Sequence, residues 1–363
     1  MSTTSSPAST EPAIWQRLRD LPLTVDAAST AQRELEGGTA FTRITTEVVL
    51  QGAGQAGRGE DAAYSPDTQR ALPVHFATLD LAGSWTLASF SERLDTLQLT
   101  PAGDQWDDHP NYHRWAFESA ALDLALRQAG RSFAEAVGEA ARPLNVCISM
   151  GLGSPPDVSR VQGWLAAHPS LTFKLDASAE WTDDTVRALA DTGAVRVVDI
   201  KGMYEGDWID NTPNPALYAR IAAGLPEALI EDPKLREETR EALGADGLAR
   251  VTWDAPLHSL ADLLAADAVP AAVNIKPSRF GSTRELLAVI EYCQTQGLPL
   301  YSGGQFELGY GRTQAQTLAA VFFADAANDI APAVWHTAKP GDTVPLPPVL
   351  VPDGPGFGWE VIA

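Results

Sequence analysis

The sequence has 363 residues, of which 45% are hydrophobic and 20% are charged, enough for one large core and a smaller appended domain. Its formal net charge of -21 and sequence pI near 4.6 argue against nucleic acids and anionic membrane surfaces as partners. They leave open a small anionic ligand, because a bound cation can reverse the field inside a pocket.

The chain begins with a polar segment without an apolar signal-like stretch, and we predict a disordered tail over residues 1–12. No stretch has the apolar length of a membrane span. Cys147 and Cys293 lie far apart in apolar surroundings, which favours two core residues in a reducing compartment over a disulfide framework. We therefore expect a cytoplasmic protein.

Residues 13–142 are expected to form a small α+β domain. The alternating stretch Thr42 to Leu50 predicts a strand, and the glycines after it predict a turn into a second strand. Trp115 to Ala129 has a helical pattern that Gly130 is placed to end.

From residue 143 to residue 336, short apolar strands alternate regularly with helical segments. This alternation is the signature of a parallel sheet closed into a barrel. The predicted strands are 144–149, 172–176, 196–201, 227–232, 250–254, 271–276 and 298–303, with a weaker eighth at 331–336. The last segment, 337–363, is too rich in proline and glycine to add a barrel unit, and we expect it to pack on the first domain.

Ionisable residues lie at the carboxyl ends of successive predicted strands. They are Lys174, Asp176, Asp199, Lys201, Glu231, Asp254 and Lys276. In a barrel these ends form one mouth, and the strand period of two places both members of Lys174/Asp176 and of Asp199/Lys201 on the inward side. A single charged residue at a strand end most simply belongs to a surface ion pair. The whole set indicates a functional site, because burying many charges is costly unless they are paired or bind a metal.

The charges at this mouth do not balance. Five carboxylates (Asp176, Asp199, Glu231, Asp254 and Glu307) against three lysines leave a formal charge of -2, which one divalent cation would neutralise. Oxygen ligands of this kind suit Mg²⁺, with Mn²⁺ as a possible substitute.

Several segments resemble the enolase superfamily, in its mandelate racemase and muconate lactonizing enzyme group. The segments TRITTEVVLQGAGQAGRGEDAAY and WAFESAALDLALRQAGRSFAEAVG resemble capping-domain strands and helix, and ALIEDP, VTWDAP, NIKPSRFGS and YSGGQFELGYGR resemble barrel strands four to seven. The spacings also fit, with 23 residues from Glu231 to Asp254 and 22 from Asp254 to Lys276. The o-succinylbenzoate synthase and muconate cycloisomerase branch is the most similar.

The resemblance implies an α/β fold, a modified TIM barrel of the (β/α)7β type, with a capping domain formed by the N-terminal region and the C-terminal tail. It also implies Mg²⁺ on Asp199, Glu231 and Asp254, and an acid/base role for Lys276. The reaction would remove a proton next to the carboxylate of a small acid through an enediolate, in a lyase (dehydratase), a racemase or epimerase, or a cycloisomerase.

Two motifs depart from the family branch. Its Lys-x-Lys on strand two is Lys174-x-Asp176 here, and its Asp-x-Asn on strand three is Asp199-x-Lys201. We therefore prefer Lys201 as the lysine opposite Lys276, with Lys174 as the reserve. The segment FKLDASAEW also resembles the family's third strand, which would make Asp176 the metal ligand. The departures motivate an alternative function, a catalytically retired barrel that binds a carboxylic acid.

Other segments are candidates for substrate contacts. Asp176, Gln305 and Glu307 are predicted to bind substrate. A homo-oligomer is also a possible state of the protein. The glycine-rich stretch Gln51 to Gly59 fits either a mobile specificity loop or a plain hairpin turn. The aromatic and histidine cluster from Trp106 to His113 fits either a lid over the substrate or an ordinary packed loop.

Overall fold

The N-terminal region combines two small antiparallel sheets with a long helix. A computed structural model describes residues 11–35, 42–204, 212–266 and 269–360, so nearly all of the predicted tail lies outside it. The strands of this region are β1 (Pro22–Val25), β2 (Ala27–Leu35), β3 (Arg43–Gly52), β4 (Gln55–Asp61) and β5 (Gly83–Thr86). The helices are α1 (Ala13–Gln16), α2 (Pro66–Phe76), α3 (Leu87–Asp95), α4 (His109–Gln128) and α5 (Phe133–Val137). Strand β3 pairs with β2 and β4, while β1 pairs with β5.

The second region is a parallel sheet whose strands follow chain order. Its strands are β6 (Ile148–Gly151), β7 (Phe173–Asp176), β8 (Val195–Asp199), β9 (Leu229–Glu231), β10 (Val251–Trp253), β11 (Ala272–Ile275) and β12 (Leu300–Ser302). Its helices are α6 (Ser159–Ala167), α7 (Asp183–Ala190), α8 (Pro215–Gly224), α9 (Glu237–Leu248), α10 (Leu260–Ala265), α11 (Thr283–Gln296) and α12 (Tyr310–Phe322). The seven predicted strands are present. The predicted fold class, a modified TIM barrel with an α+β capping domain, is confirmed.

The eighth strand was predicted in the wrong place. Residues 333–336 form a short 3-10 helix after Pro332, and parallel bridges instead join Asn328 to Val146 and Asp329 to Gly303. The Asn328 side chain replaces part of the missing ladder, because its oxygen accepts a hydrogen bond from the Ser302 N–H at 2.8 Å. Two backbone bridges and one side-chain amide thus join the last barrel strand to the first, so this segment needs no strand-like sequence pattern.

The glycine-rich stretch between β3 and β4 is a tight hairpin, so the alternative of a mobile loop is wrong. Ala53 and Gly54 both have left-handed backbone angles, φ 49° and 74°, as a two-residue type I′ turn requires. The following Gly57 packs against α4, where an added Cβ would lie 2.3 Å from the Leu124 nitrogen. The connection over residues 36–41 lies outside the described residues.

We predict that Gly57→Ala lowers the free energy of unfolding by about 1–3 kcal/mol, because the new methyl group overpacks the contact with the backbone of α4. Chemical denaturation monitored by circular dichroism measures this loss. Gly354→Ala is the matched control, since no heavy atom lies within 4 Å of its added Cβ. Equal stability of both variants would contradict the packing of this hairpin on α4.

The C-terminal segment contacts both regions. Val349 forms an antiparallel bridge with Leu144 before the first barrel strand, and Gly356 forms a parallel bridge with Ser132. The Phe357 N–H donates to Asp123 of α4 at 2.7 Å, and its buried ring packs against Phe133. In the described part of the chain, no helix combines the length and apolarity needed to cross a bilayer.

Candidate active site

Three buried carboxylates lie side by side at the carboxyl ends of neighbouring barrel strands. The register pairs Asp199 of β8 with Glu231 of β9, and Asp254 follows β10 directly. All three side chains are buried. Asp176 pairs in register with Asp199 but sits one strand earlier, at the end of β7. Its side chain is 39% exposed, so Asp176 lies at the rim of this group.

Lys174 of β7 lies between two of these carboxylates. Its Nζ contacts Glu231 directly and lies 3.5 Å from Asp199 and 3.8 Å from Asp329 of the ring closure. Burial opposes its charge, but Glu231 and Asp199 outweigh burial and hold the pKa of the Lys174 ammonium well above its usual value. The buried Lys174 is thus held by the carboxylates.

Lys201 also contacts the carboxylates but is more accessible. Its Nζ lies 2.7 Å from Asp199 and 3.1 Å from Asp176, and its side chain is 26% exposed, against 3% for Lys174. Its backbone has a left-handed φ of 54°, uncommon for a residue with a long side chain. The Lys201 N–H donates to Asp199 at 2.9 Å, which fixes this turn. Despite burial, Asp199 and Asp176 raise the pKa of the Lys201 ammonium well above its usual value.

The opposite side of the group is formed around Asp254. Lys276, directly after β11, places its Nζ 2.7 Å from one Asp254 oxygen, and Arg279 places Nη1 3.0 Å from the other. The Tyr204 hydroxyl donates to Asp254 at 3.1 Å and accepts from Arg279 at 3.0 Å. Burial favours the neutral acid, but Arg279 and Lys276 hold the pKa of Asp254 far below its usual range.

Four charged residues of this site were not among the predicted site residues: Asp232, Arg279, Arg312 and Asp329. Arg279 lies three residues after Lys276, within the NIKPSRFGS segment that resembles the family's barrel strand six, so this resemblance could have identified it. Asp232 follows β9 with φ 51°, and its two oxygens accept from the N–H groups of Asp254 and Ala255, both at 2.8 Å. Strand periodicity alone assigns Asp232 to the outward side, but the left-handed turn brings its carboxylate to the end of β10.

The predicted charge imbalance remains when the newly placed residues are counted. The structure adds Asp232 and Asp329 on one side and Arg279 and Arg312 on the other, so the formal charge of the mouth is still -2. Burial, with Asp199 and Asp254 nearby, raises the pKa of Glu231 to about 8 despite Lys174. Burial and the same neighbours raise the pKa of Asp232 to about 7. Uncompensated negative charge among oxygen donors fits a divalent cation.

The carboxylates are arranged around ammonium groups rather than around a point between them. Among the described residues, ligand oxygens of Asp199, Glu231 and Asp254 do not gather within 4.8 Å of one another. Lys174 occupies the space between the first two, and Lys276 lies against the third. A cation bound to all three would therefore displace at least the Lys174 ammonium.

The segment after β12 forms the neighbouring wall and contains two predicted substrate residues. The Gln305 amide donates to the Tyr112 hydroxyl of α4 at 2.5 Å, and Glu307 lies 3.2 Å from Arg312. Buried Arg43 of β3 donates to the Gln305 carbonyl at 2.7 Å, which fixes this segment to the capping domain. Gly303 leaves room for Lys276, since an added Cβ would lie 2.6 Å from the lysine Cε.

His336 supports this wall as a neutral ring. Its Nε2 lies 3.3 Å from the Glu307 carbonyl oxygen and 3.4 Å from Arg312, and the ring packs on Phe306. Burial and the Arg312 charge lower the pKa of His336 from 6.5 to about 3.

We predict that His336 makes the folded state lose stability as the pH falls from about 6.5 to 3. In that window the unfolded chain takes up a proton at His336 that the folded chain does not. Thermal unfolding of wild type and His336→Asn across this range measures the effect. As the pH falls, the free energy of unfolding of the wild type should decrease relative to that of His336→Asn. A difference independent of pH would contradict the neutral, partly buried ring.

Comparisons with known proteins give the family. Residues 16–136 and 140–337 match the N-terminal and C-terminal domains of a family described as a domain of unknown function, DUF8230. An N-succinylamino acid racemase from Amycolatopsis sp is 30% identical over 298 residues, covering 74% of each chain. The chain belongs to the enolase superfamily. An o-succinylbenzoate synthase from Yersinia pestis (strain Pestoides F) is 32% identical over 157 residues, which span 43% of this chain and 40% of that protein.

Solved structures of enolase superfamily proteins share the fold. A muconate cycloisomerase from Pseudomonas fluorescens superposes with a TM-score of 0.66 at 19% identity, covering 94% of this chain and 97% of that one. An enolase superfamily protein from Listeria innocua Clip11262 gives 0.66 at 19% identity, covering 93% and 94%. The predicted family is confirmed, and the chain is an enzyme of the lyase or isomerase kind found in this superfamily.

Proposed function

We propose that this enolase superfamily enzyme removes the proton next to the carboxylate of a small acid, with Mg²⁺ held by Asp199, Glu231 and Asp254. The observation that carries the proposal is the row of three buried carboxylates with a residual charge of -2. Lysines flank this row, with Lys201 beside Asp199 and Lys276 beside Asp254. The two lysines proposed as acid and base therefore lie at opposite ends of the carboxylate row.

The donor atoms of the carboxylate row fit the cation that the family implies once the Lys174 ammonium has left its place between Asp199 and Glu231. Asp199, Glu231 and Asp254 offer only oxygen donors, which suit Mg²⁺, with Mn²⁺ as a substitute. When bound, the cation supplies positive charge against the negative charge that develops on the substrate carboxylate as the α-proton leaves. Asp232, bound to two backbone N–H groups after β10, holds the ends of β9 and β10 together.

Lys276 and Lys201 are assigned as the acid/base pair, and Lys174 as a counter-ion. A proton-transfer group must reach the substrate, and the partly exposed Lys201 side chain is more accessible than the buried Lys174. In the arrangement described, carboxylates raise the pKa of Lys201. A cation on Asp199 would offset one of the two carboxylate charges that raise this pKa, which favours the neutral amine that a base requires.

The substrate class proposed first is an N-acyl amino acid. This follows from the relative named N-succinylamino acid racemase, which matches 74% of the chain, against 43% for the o-succinylbenzoate synthase. Lysines on two sides of the site suit a racemase, since a proton is removed on one face and returned on the other. A lyase like the o-succinylbenzoate synthase relative is the second candidate.

We place the reaction in the cytoplasm, where the free, buried thiols of Cys147 and Cys293 would persist.

Racemisation of N-succinyl amino acids tests the proposal directly. Purified protein is incubated with N-succinyl-L-amino acids of differing side chain, and the enantiomers are separated by chiral chromatography. We expect the D-enantiomer to form with Mg²⁺ and not after treatment with a chelator. Saturable binding of these acids without racemisation or elimination, at full Mg²⁺ occupancy, would instead support the catalytically retired barrel.

A further inference from the structure

A second group of potential metal ligands lies in the capping domain, at the start of α4. We define the α4 cluster as Asp61, Asp104, His109 and His113. The Nδ1 atom of His109 lies 2.8 Å from Asp104, and the Nε2 atom of His113 lies 3.0 Å from the same Asp104 oxygen. The other ring nitrogen of His113, Nδ1, lies 2.5 Å from Asp61.

The α4 cluster is enclosed although its members come from three segments. Asp61 ends β4, Asp104 belongs to the connection between α3 and α4, and the histidines lie one helical turn apart on α4. None of the four side chains is more than 2% exposed. Without a cation these side chains are partners of one another, and a cation bound among them would take the place of the contacts of both histidines with Asp104.

The donor set differs chemically from that of the barrel mouth. Ligand atoms of Asp104, His109 and His113 all lie within 4.8 Å of one another, and they are the one such group of three among the described residues. Two imidazole nitrogens with one carboxylate suit Zn²⁺ and related first-row ions rather than Mg²⁺. Asp61 occupies the place of the outer carboxylate that orients a metal-binding histidine through its second nitrogen.

We propose that Asp104, His109 and His113 bind a divalent transition-metal ion of the Zn²⁺ type, with Asp61 as a positioning residue. This site is separate from the Mg²⁺ site proposed in the barrel, and it has no part in the proton transfer. Three protein ligands leave a coordination position for water. A metal at this position joins the connection before α4 to the hairpin strand β4 and to α4 itself.

Such a metal would also fix residues next to the barrel mouth. Trp106 stacks on His109 at 5.6 Å between ring centroids and is 52% exposed, and Asp108 accepts a hydrogen bond from Tyr112. The Tyr112 hydroxyl in turn accepts from Gln305 of the active-site wall. Metal binding therefore holds in place the segment that supports Gln305 from the capping side.

Isothermal titration with Zn²⁺ tests the site in a Glu231→Gln background with excess Mg²⁺, so that the barrel contributes no competing site. We expect one Zn²⁺ per chain and an upward shift of the melting temperature. His109→Gln should weaken binding by at least 100-fold, and Asp61→Asn by about 10–100-fold as expected for an outer partner. His75→Gln is the control, because its ring contacts the Gln98 carbonyl away from the cluster.

Co²⁺ substitution provides a readout that does not depend on stability. Co²⁺ with nitrogen ligands should give a visible absorption band in the parent protein and the His75→Gln variant, and no band in His109→Gln. If His109→Gln fails to fold, Asp104→Asn replaces it as the ligand variant. Absence of stoichiometric Zn²⁺ binding, or equal binding by parent and folded ligand variants, would overturn the proposal. The α4 cluster would then be a metal-free network in which His113 bridges two carboxylates.

Discussion

Lys276→Ala is expected to lower turnover by about 10²–10⁴-fold, the usual loss when a general acid or base is removed. Lys276 directly follows β11, which brings its ammonium 2.7 Å from Asp254, and Gly303 leaves the space that its side chain needs. Arg279 remains on Asp254 in the variant, so that carboxylate keeps one cationic partner. Steady-state kinetics on the substrate found by the racemisation screen measure the loss.

The variant must keep its metal site for this loss to be informative. Mg²⁺ affinity of Lys276→Ala should stay within a few-fold of the wild type, because the change removes a cation and no ligand. Lys339→Ala is the matched control, since Lys339 lies in the C-terminal segment, far along the chain from the barrel strands. Near-normal turnover of Lys276→Ala would make Lys276 a counter-ion of Asp254 and defeat the assignment of the acid/base pair.

Glu231→Gln is expected to abolish stabilisation by Mg²⁺. The change keeps the shape of the side chain but removes the central charge of the carboxylate row. A ligand present at 100 times its dissociation constant stabilises the folded state by about 2.7 kcal/mol, and this increment should vanish. Melting temperatures with and without Mg²⁺ measure the difference.

Glu307→Gln is the matched control for the metal site. Glu307 lies on the neighbouring wall against Arg312 and is not a proposed ligand, so its variant should keep the Mg²⁺-dependent shift. An equal shift in Glu231→Gln and the wild type would mean that the ion, if bound, is held by other carboxylates. The partly exposed Asp176 would then be the first ligand to reconsider.

The sequence was sufficient to predict the positions of seven barrel strands and the charged residues at the ends of five of them. In β7 to β11 a charged residue ends or directly follows the strand, at a spacing set by one strand and one helix. The order of the strands follows from the chain because parallel neighbours are connected by right-handed helical crossovers. The chain order of the strands alone therefore predicts that Asp199, Glu231 and Asp254 lie at the ends of adjacent strands, as the structure shows.

Features that depend on side-chain geometry or on turns could not be predicted. Lys174 and Asp176 are both expected to point inward, yet Lys174 lies buried between carboxylates and Asp176 lies at the rim. Asp232 reaches Asp254 only because its backbone is left-handed. The ring closes through the side chain of Asn328, for which strand propensity carries no signal.

The α4 cluster shows the limit of local patterns in another way. The segment Trp106 to His113 was predicted to be a lid or a packed loop, whereas α4 begins at His109 and places His109 and His113 one helical turn apart on one face. Their carboxylate partners, Asp61 and Asp104, come from a strand and a connection that only the folded capping domain brings together. The sequence therefore did not predict this cluster.

Exchange of the substrate α-proton with solvent tests the central claim most directly. The Mg²⁺-loaded enzyme is incubated with an N-succinyl amino acid in deuterated water, and the α-proton signal is followed by NMR. We expect Mg²⁺-dependent replacement of the α-proton by deuterium, slowed strongly in Lys276→Ala. Retention of the α-proton by acids that demonstrably bind to the folded, Mg²⁺-loaded protein would contradict it.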